Sequence, residues 1–438
     1  MHRVGGDEVV SGHLPAGAAE AAPGDGLDRF LARTTLVWVL AVASVGIAVG
    51  FAVSRIWRRP TLDLEVYLMG ARHLIDGRLY DVRGTAVPHL AFTYTPFAAL
   101  FFTPLAPLPF GIAQLLWAVI SMAALISMIA LSLWAVRPDI APRRLWLLSL
   151  VLLGPISLFE PILLNFHFLQ VNFVLDLVVF TDLLLVLRVR GRTVPRGLLV
   201  GIAAAVKLIP LIFVVYLVIT RQFRAAVVAV STFVCCTVIG ALFNIHASWL
   251  YWSKYAYDAK RVGGVYYLSN QSLRGALDRL THTDLRTSIV TAGSAVVLVA
   301  GIALARWAYV GSSTLLAVLV TATTGMLVSP ITWSHHLVWC IPILAWLTLA
   351  KDRPRGGRIW AAGASIVLWM GPIWFVPSNP AAELDEHGFG LVMANAYFFL
   401  MALFLLGVAV MLAVRTSRST RAGAVHHDPS APGVTAQI

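Results

Sequence analysis

Charge is what this chain of 438 residues lacks: only 12% of them are Asp, Glu, Lys or Arg, against roughly 25% in an ordinary soluble domain. A chain of this size has a large surface to cover and too few charges to cover it with. The deficit excludes a soluble globular enzyme, and the abundance of apolar residues excludes a disordered chain. Acids are scarcer than bases, 21 against 33, which leaves a net charge of +12. No RNA- or DNA-binding motif accompanies the bases, so no nucleic-acid partner is expected. Cysteine is rare as well. Cys235, Cys236 and Cys340 all sit inside apolar runs and read as small buried residues, not as a disulfide set or a metal site. There is no Walker loop, no dinucleotide fingerprint and no HExxH, so neither a cofactor nor a metal is expected. No cleavable signal peptide is visible before the first apolar run.

What the chain has instead is apolar residues, 59% of the total, with a mean hydropathy of +0.81. They fall into runs that can span a bilayer: 36–57, 110–136, 145–160, 168–188, 225–245, 287–308, 313–329, 337–350, 359–376 and 391–414. The expectation is an all-α polytopic membrane protein with about ten full crossings. Its membrane domain covers 35–414, between disordered cytoplasmic termini at 1–34 and 415–438.

Arginines set the orientation, because short basic loops stay in the cytoplasm. The clusters are Arg137/Arg143/Arg144, Arg188/Arg190/Arg192/Arg196, Arg221/Arg224, Lys351/Arg353/Arg355/Arg358 and Arg415/Arg418/Arg421. All five share one side only if the eleventh apolar run, 197–220, does not cross. Pro210 interrupts that run, and proline breaks a helix. The run is therefore expected to enter as two short helices and return; the alternative is a full crossing. The outer segments are then 58–109, 161–167, 246–286, 330–336 and 377–390. Within the first, Leu64, Tyr67, Leu68, Ala71, Leu74 and Ile75 recur at helical spacing, which predicts an amphipathic helix over Asp63–Tyr80 along the membrane surface.

A few polar residues stand out against this background. Asp63, just past the first span, is either a helix N-cap or a general base at the membrane surface. Lys207 lies inside an apolar run beside Pro210, where a cation is expensive and marks function by default; its bland reading is snorkelling to an interface. Glu160, His167, Gln170 and Asn172 flank a short outer turn and suit either sugar binding or bonds between helices. The turn from Ser329 to His336 carries Trp333, His335 and His336; adjacent histidines do not share a helix face, so one histidine touching an anionic or hydroxyl-rich ligand is the better reading. The 246–286 loop mixes aromatic faces with Arg261, Asn270, Gln271, Arg274 and Arg279, a set suited to sugar rings and phosphates. Asn270-Gln271-Ser272 also matches a glycosylation sequon, and Glu383-Leu384-Asp385-Glu386 reads as a solvated acidic turn.

Taken in order, Asp63, Glu160-Pro161, Gln170-Val171-Asn172, Gly201 to Lys207 with Pro210, Arg261-Val262-Gly263, Asn270 to Gly275, and Ser329-Pro330 with His335-His336 resemble glycosyltransferase family 87 of the GT-C superfamily. Members of that family are actinobacterial mannosyltransferases that use polyprenyl-phosphate-mannose. One departure is Phe168-Leu169, where the family pattern leads one to expect a glycine before Gln170. The resemblance implies a GT-C fold in the bacterial plasma membrane, with the site on the periplasmic side and both termini cytoplasmic. It implies an inverting enzyme in which Asp63 is the base and the acceptor is a phosphatidylinositol mannoside extended through an α-1,2 linkage. Lys207, Arg261, Arg274, His335 and His336 would meet the donor phosphate. Glu160, His167, Gln170, Asn172, Tyr67, Asn270, Gln271 and Trp333 would meet the sugars or the acceptor. The alternatives are α-1,2 branching of lipomannan or lipoarabinomannan, and a transporter or flippase for a lipid-linked sugar; a structural scaffold leaves Lys207 unexplained.

Overall fold

In the computed structural model, which describes residues 30, 33–58, 61–86, 88–189, 191–311, 313–377 and 383–425, the apolar runs are helices. Five stretches are long and apolar enough to cross a bilayer: Thr34–Ile56, Phe110–Val136, Phe223–Phe243, Thr287–Val310 and Ala396–Arg418. A sixth arises if Pro142–Ser157 and Glu160–Phe168, bent by 87° at the break between them, form one span. With a single two-stranded ribbon, Arg188–Val189 against Arg192–Thr193, the chain is an all-helical multi-pass membrane protein. Expectations for most of 1–34 and for the end of the chain lie outside the described residues. The last helix runs on to Val425, beyond the start expected for the tail.

Not every expected crossing becomes a long helix. Asn172–Leu184, Thr314–Val328, Cys340–Leu349 and Gly357–Met370 have 13, 15, 10 and 14 residues, short of the roughly 20 that span the hydrocarbon core. Thr314–Val328 shows the reason: every residue from Leu315 to Leu327 is buried in protein. A helix wrapped by other helices need not match the lipid thickness, and hydropathy does not distinguish protein from lipid as its surroundings.

Helix breaks are repaired by side chains from neighbours, as a medium without water requires. Pro155 has no N–H, which strands the carbonyl of Val151 one turn back. Ser44, on the first helix, donates to that carbonyl at 2.8 Å and accepts from Gly154 N at 2.5 Å. The run 197–220 forms two short helices, Leu198–Val206 and Ile212–Ile219. Asp182 caps the first by accepting from Gly197 N at 2.9 Å and Val200 N at 3.0 Å. Gly197 and Gly201 lie so close to Ala225 and Ala229 of the Phe223–Phe243 helix that a side chain at either would collide with backbone. Arg196 donates to Gln222 at 2.9 Å, so the two ends of this run meet at one end of the bundle.

The helix that follows the first span is shorter and more enclosed than its spacing suggests. It covers Leu62–Arg72, and Leu64, Val66 through Ala71 are buried. Tyr67 stacks on Phe102 at 4.3 Å, and Gly70 backs onto Phe92 with no room for a side chain. The helix thus packs into the protein; of the apolar set read from the sequence only Ile75, beyond its end, is well exposed.

Candidate active site

Asp63 is not the helix cap. Thr61 occupies that position without a side-chain bond, and Asp63 sits inside the first turn. Its carboxylate, half-buried by surface, lies close enough to the Gln170 side chain for the amide to favour its charged form. The hydroxyl of Tyr67, one turn further along the same helix, donates to Gln170 Oε1 at 2.9 Å. With its oxygen so engaged, the Gln170 amide presents its NH2 to Asp63. Tyr94 lies 3.2 Å from the Tyr67 hydroxyl and continues the chain. Burial pushes the Asp63 carboxyl up to about 6, against the opposing pulls of Lys207 and Gln170. Those values suit a base working near neutral pH.

Gln170 is aimed by an unusual turn. Leu169, immediately before it, has φ +52° and ψ +53°, a left-handed conformation that costs a residue with a Cβ about 1–2 kcal/mol. This is where the family pattern leads one to expect a glycine. Here a fully buried leucine is held instead, with its carbonyl accepting from Trp117 Nε1 at 3.0 Å and Gln170 N closing back on Asn165 O at 3.0 Å.

Two residues on, the same turn reaches the cation. Lys207 stands at the helix break in extended conformation. Its Nζ donates to Asn172 Oδ1 at 2.8 Å and meets His336 Nε2 at 3.0 Å. An ammonium has no lone pair, so His336 accepts through Nε2 and is neutral, with its proton on Nδ1. One of the three ammonium hydrogens has no protein partner among the described residues. Asn172 also donates to the His335 carbonyl at 3.1 Å, which Asn165 binds at 2.6 Å. The His335 ring lies edge-on to Phe168 and His336, and neither of its nitrogens has a hydrogen bond among the described residues. Lys207, His336, Asn172 and Asp176 line a cavity of about 30 Å³, and Lys207 feels the charge of Asp176 more strongly than that of Asp63.

Several residues expected at the site are engaged elsewhere. Arg261 lies over the Tyr255 ring at 4.1 Å and donates to Tyr80 O at 2.5 Å, which ties two loops together. Arg274 pairs with Asp278 and Asp284. Asn270 donates to Val265 O and Pro330 O and accepts from Thr332 N. Gln271 donates to Leu268 O and Ala394 O and accepts from Tyr397 N and Phe398 N. Both amides are fully buried, which also removes the sequon from solvent. They strap the 329–336 turn, and with it His335 and His336, to the start of the last helix. Glu160 Oε1 accepts from Ser334 and from Trp374 Nε1. Trp333 packs on Tyr267, and Gly263 approaches its indole too closely to allow a side chain. His167 sits half-buried against Phe168. Glu65, the second acid of the first helix, accepts from Thr85 N and Oγ1 at 2.5 and 2.6 Å.

Three residues of the cluster went unread in the sequence: Tyr94, Asn165 and Asp176. An acid in the apolar stretch Phe173–Leu177 was the available signal. The acidic turn is solvated only in part: Asp385 is exposed, but Glu383 is buried, 2% exposed, close enough to feel the Arg279 charge. Arg279, 0% exposed, donates to Asn395 Oδ1 and to the carbonyls of Tyr266, Tyr267 and Asn270. Arg279→Met should lower stability by about 3 kcal/mol or more, because those groups and Glu383 lose their buried partner. A melting curve of the detergent-solubilised variant checks this; a midpoint matching the parent protein would count against the strap.

The fold and the site define a multi-pass membrane protein in which one turn brings a carboxylate and an ammonium close together. Residues 92–330 match glycosyltransferase family 87, and the chain belongs to that family; it is a glycosyltransferase. It is 35% identical over 78% of its length, and 83% of the relative's, to the polyprenol-phosphate-mannose-dependent alpha-(1-2)-phosphatidylinositol mannoside mannosyltransferase of Mycobacterium tuberculosis. It is 31% identical, over 73% of this chain and 77% of the relative, to the protein of that name from Mycolicibacterium smegmatis. A third relative, from Mycobacterium tuberculosis, is named for a phosphatidylinositol pentamannoside instead; identity is 34% over 72% of this chain and 73% of the relative. No solved structure matches.

Proposed function

We propose that this chain is an inverting mannosyltransferase that moves mannose from polyprenyl-phosphate-mannose to a phosphatidylinositol mannoside and forms an α-1,2 linkage. The observation that carries the reading is the Gln170–Asn172 turn, which has Asp63 beside Gln170 at one end and Lys207 bonded to Asn172 at the other, in a chain similar to relatives named for that transfer.

Asp63 takes the proton from the acceptor hydroxyl as its oxygen attacks the anomeric carbon. The bond from that carbon to the lipid-phosphate oxygen breaks, and the phosphate leaves with the electron pair. Lys207 meets the growing charge through its remaining N–H. A β-linked donor and an α-linked product require one base and no second carboxylate as nucleophile. Gln170, Tyr67 and Tyr94 orient the base; Asn172 and His336 orient the cation, with Asp176 behind it. Arg261, Arg274, Asn270 and Gln271 act on the loops that close over the site.

The test is a product assay. Purified protein is given polyprenyl-phosphate-mannose with a phosphatidylinositol mannoside, or with lipomannan in a parallel reaction. The expected product is an α-1,2-mannosylated phosphatidylinositol mannoside; transfer to lipomannan alone, or none, overturns the reading. The rate should rise with pH through about 6, because only the ionised Asp63 accepts a proton.

The architecture we propose is GT-C type, with about ten crossings. The short apolar helices complete the count, and 197–220 enters and returns. Both termini face the cytoplasm and Asp63 faces the periplasm. The Arg196–Gln222 contact supports this, as does the topology that puts all five arginine clusters on one side. In intact cells, Gln222→Cys should stay unlabelled by a membrane-impermeant maleimide, with the parent protein as control; ready labelling would show a full crossing.

A further inference from the structure

At the end of the bundle remote from Asp63 lies a second cavity, of about 630 Å³. The Cys340–Leu349 helix runs toward it from His336, and the final helix runs toward it from Asn395, some twenty residues or about 30 Å away. Its walls are apolar, formed by Trp346, Trp360, Phe404 and Met411. Gly407 faces Trp360, so the lack of a side chain there widens the groove between the Gly357–Met370 helix and the last one. A smaller cavity of about 60 Å³, sharing Leu347, Trp360 and Phe404, continues it inward.

Four arginines line the mouth, and among the described residues no acid does. Arg353 and Arg355 come from the loop before the Gly357–Met370 helix; Arg415 and Arg418 come from successive turns of the last helix. Arg353 donates to Ala350 O within its own loop, and Arg415 donates to Asp352 O, which ties the last helix to that loop. Asp352, in the same loop, spends one carboxylate oxygen on the Trp346 indole. Guanidinium forks suit phosphate oxygens, and an apolar trough below them suits an acyl chain.

We propose that this groove is a binding site for an anionic diacyl phospholipid, with its phosphate on the arginines and an acyl chain along Trp360 and Phe404. Topology signals alone need arginines near the membrane, not four arginines at the mouth of one apolar cavity. Basic pockets between membrane helices are known to hold such headgroups.

The test is native mass spectrometry of the full-length protein in detergent, titrated with phosphatidylglycerol, phosphatidylcholine or inorganic phosphate. One phosphatidylglycerol should bind ahead of phosphatidylcholine. Arg355→Gln with Arg418→Gln should weaken that step roughly thirtyfold, and Arg355→Gln alone should do so less. Gly407→Leu, which fills the trough without changing charge, should weaken it too. Equal binding of the two lipids, unchanged binding in the double variant, or displacement of phosphatidylglycerol by an equal concentration of inorganic phosphate would each overturn the proposal.

Discussion

Asp63→Asn should lower mannosyl transfer by about 10²–10⁴-fold, the usual contribution of a positioned general base, while the protein stays folded. An amide matches the carboxylate in size but does not take a proton from the acceptor. The stability effect has a definite sign. Burial dominates the shift of Asp63, whose folded value is about 6 against an ordinary 3.8. Between those values the folded chain holds a proton that the unfolded chain has released, so this group's contribution falls as pH rises across the window. Above pH 6 the ionised carboxylate carries the whole cost, and asparagine carries none. Asp63→Asn should therefore melt at the same temperature as the parent or higher at pH 7.5, with the gain shrinking toward pH 4. Transfer and melting measured on one sample separate the roles: near-normal transfer in the folded variant would remove Asp63 as base. Asp176 would then be the next candidate, since Glu65 and Glu160 are held by Thr85, Ser334 and Trp374.

Lys207→Ala should reduce turnover by about 10²–10³-fold, the range seen when one donor to a developing oxyanion is removed. The loss should fall on kcat more than on KM, because the leaving phosphate gains charge only as its bond to the sugar breaks. Lys207→Arg should recover little: the ammonium fits between Asn172 and His336 at 2.8 and 3.0 Å, and a planar fork on a longer stem does not. The alanine variant also leaves Asp176 without its cation, so folding is checked by gel filtration first. A monodisperse Lys207→Ala protein with unchanged kcat would refute the assignment.

Asp63 and Lys207 were legible because each is a charge where the surroundings are apolar, and that cost is visible in one dimension. The turn that joins them was half legible: Gln170 and Asn172 were read as polar residues of an outer turn with two open uses. Their partners, Tyr67 some hundred positions earlier and His335 over 160 positions later, do not follow from spacing. The same limit explains the residues assigned to sugars and phosphates that serve as struts. Gln271 pairs with backbone at 394–398 and Arg261 with Tyr80. Amides and guanidinium groups suit a ligand and a stranded carbonyl equally well.

From sequence alone came the membrane class, the order of the apolar runs, the break at Pro210 and the family resemblance. All of these depend on local chemistry: hydropathy, the missing N–H of proline, and charge in an apolar setting. Only the tertiary structure decided which runs become long helices and which are short ones enclosed by protein, and that the two ends of 197–220 meet. It also decided which of the polar residues remain near Lys207 and which are consumed in holding loops. The reason is that a buried polar group must be satisfied by whatever the fold brings within about 3 Å, and that partner is set by packing between distant segments.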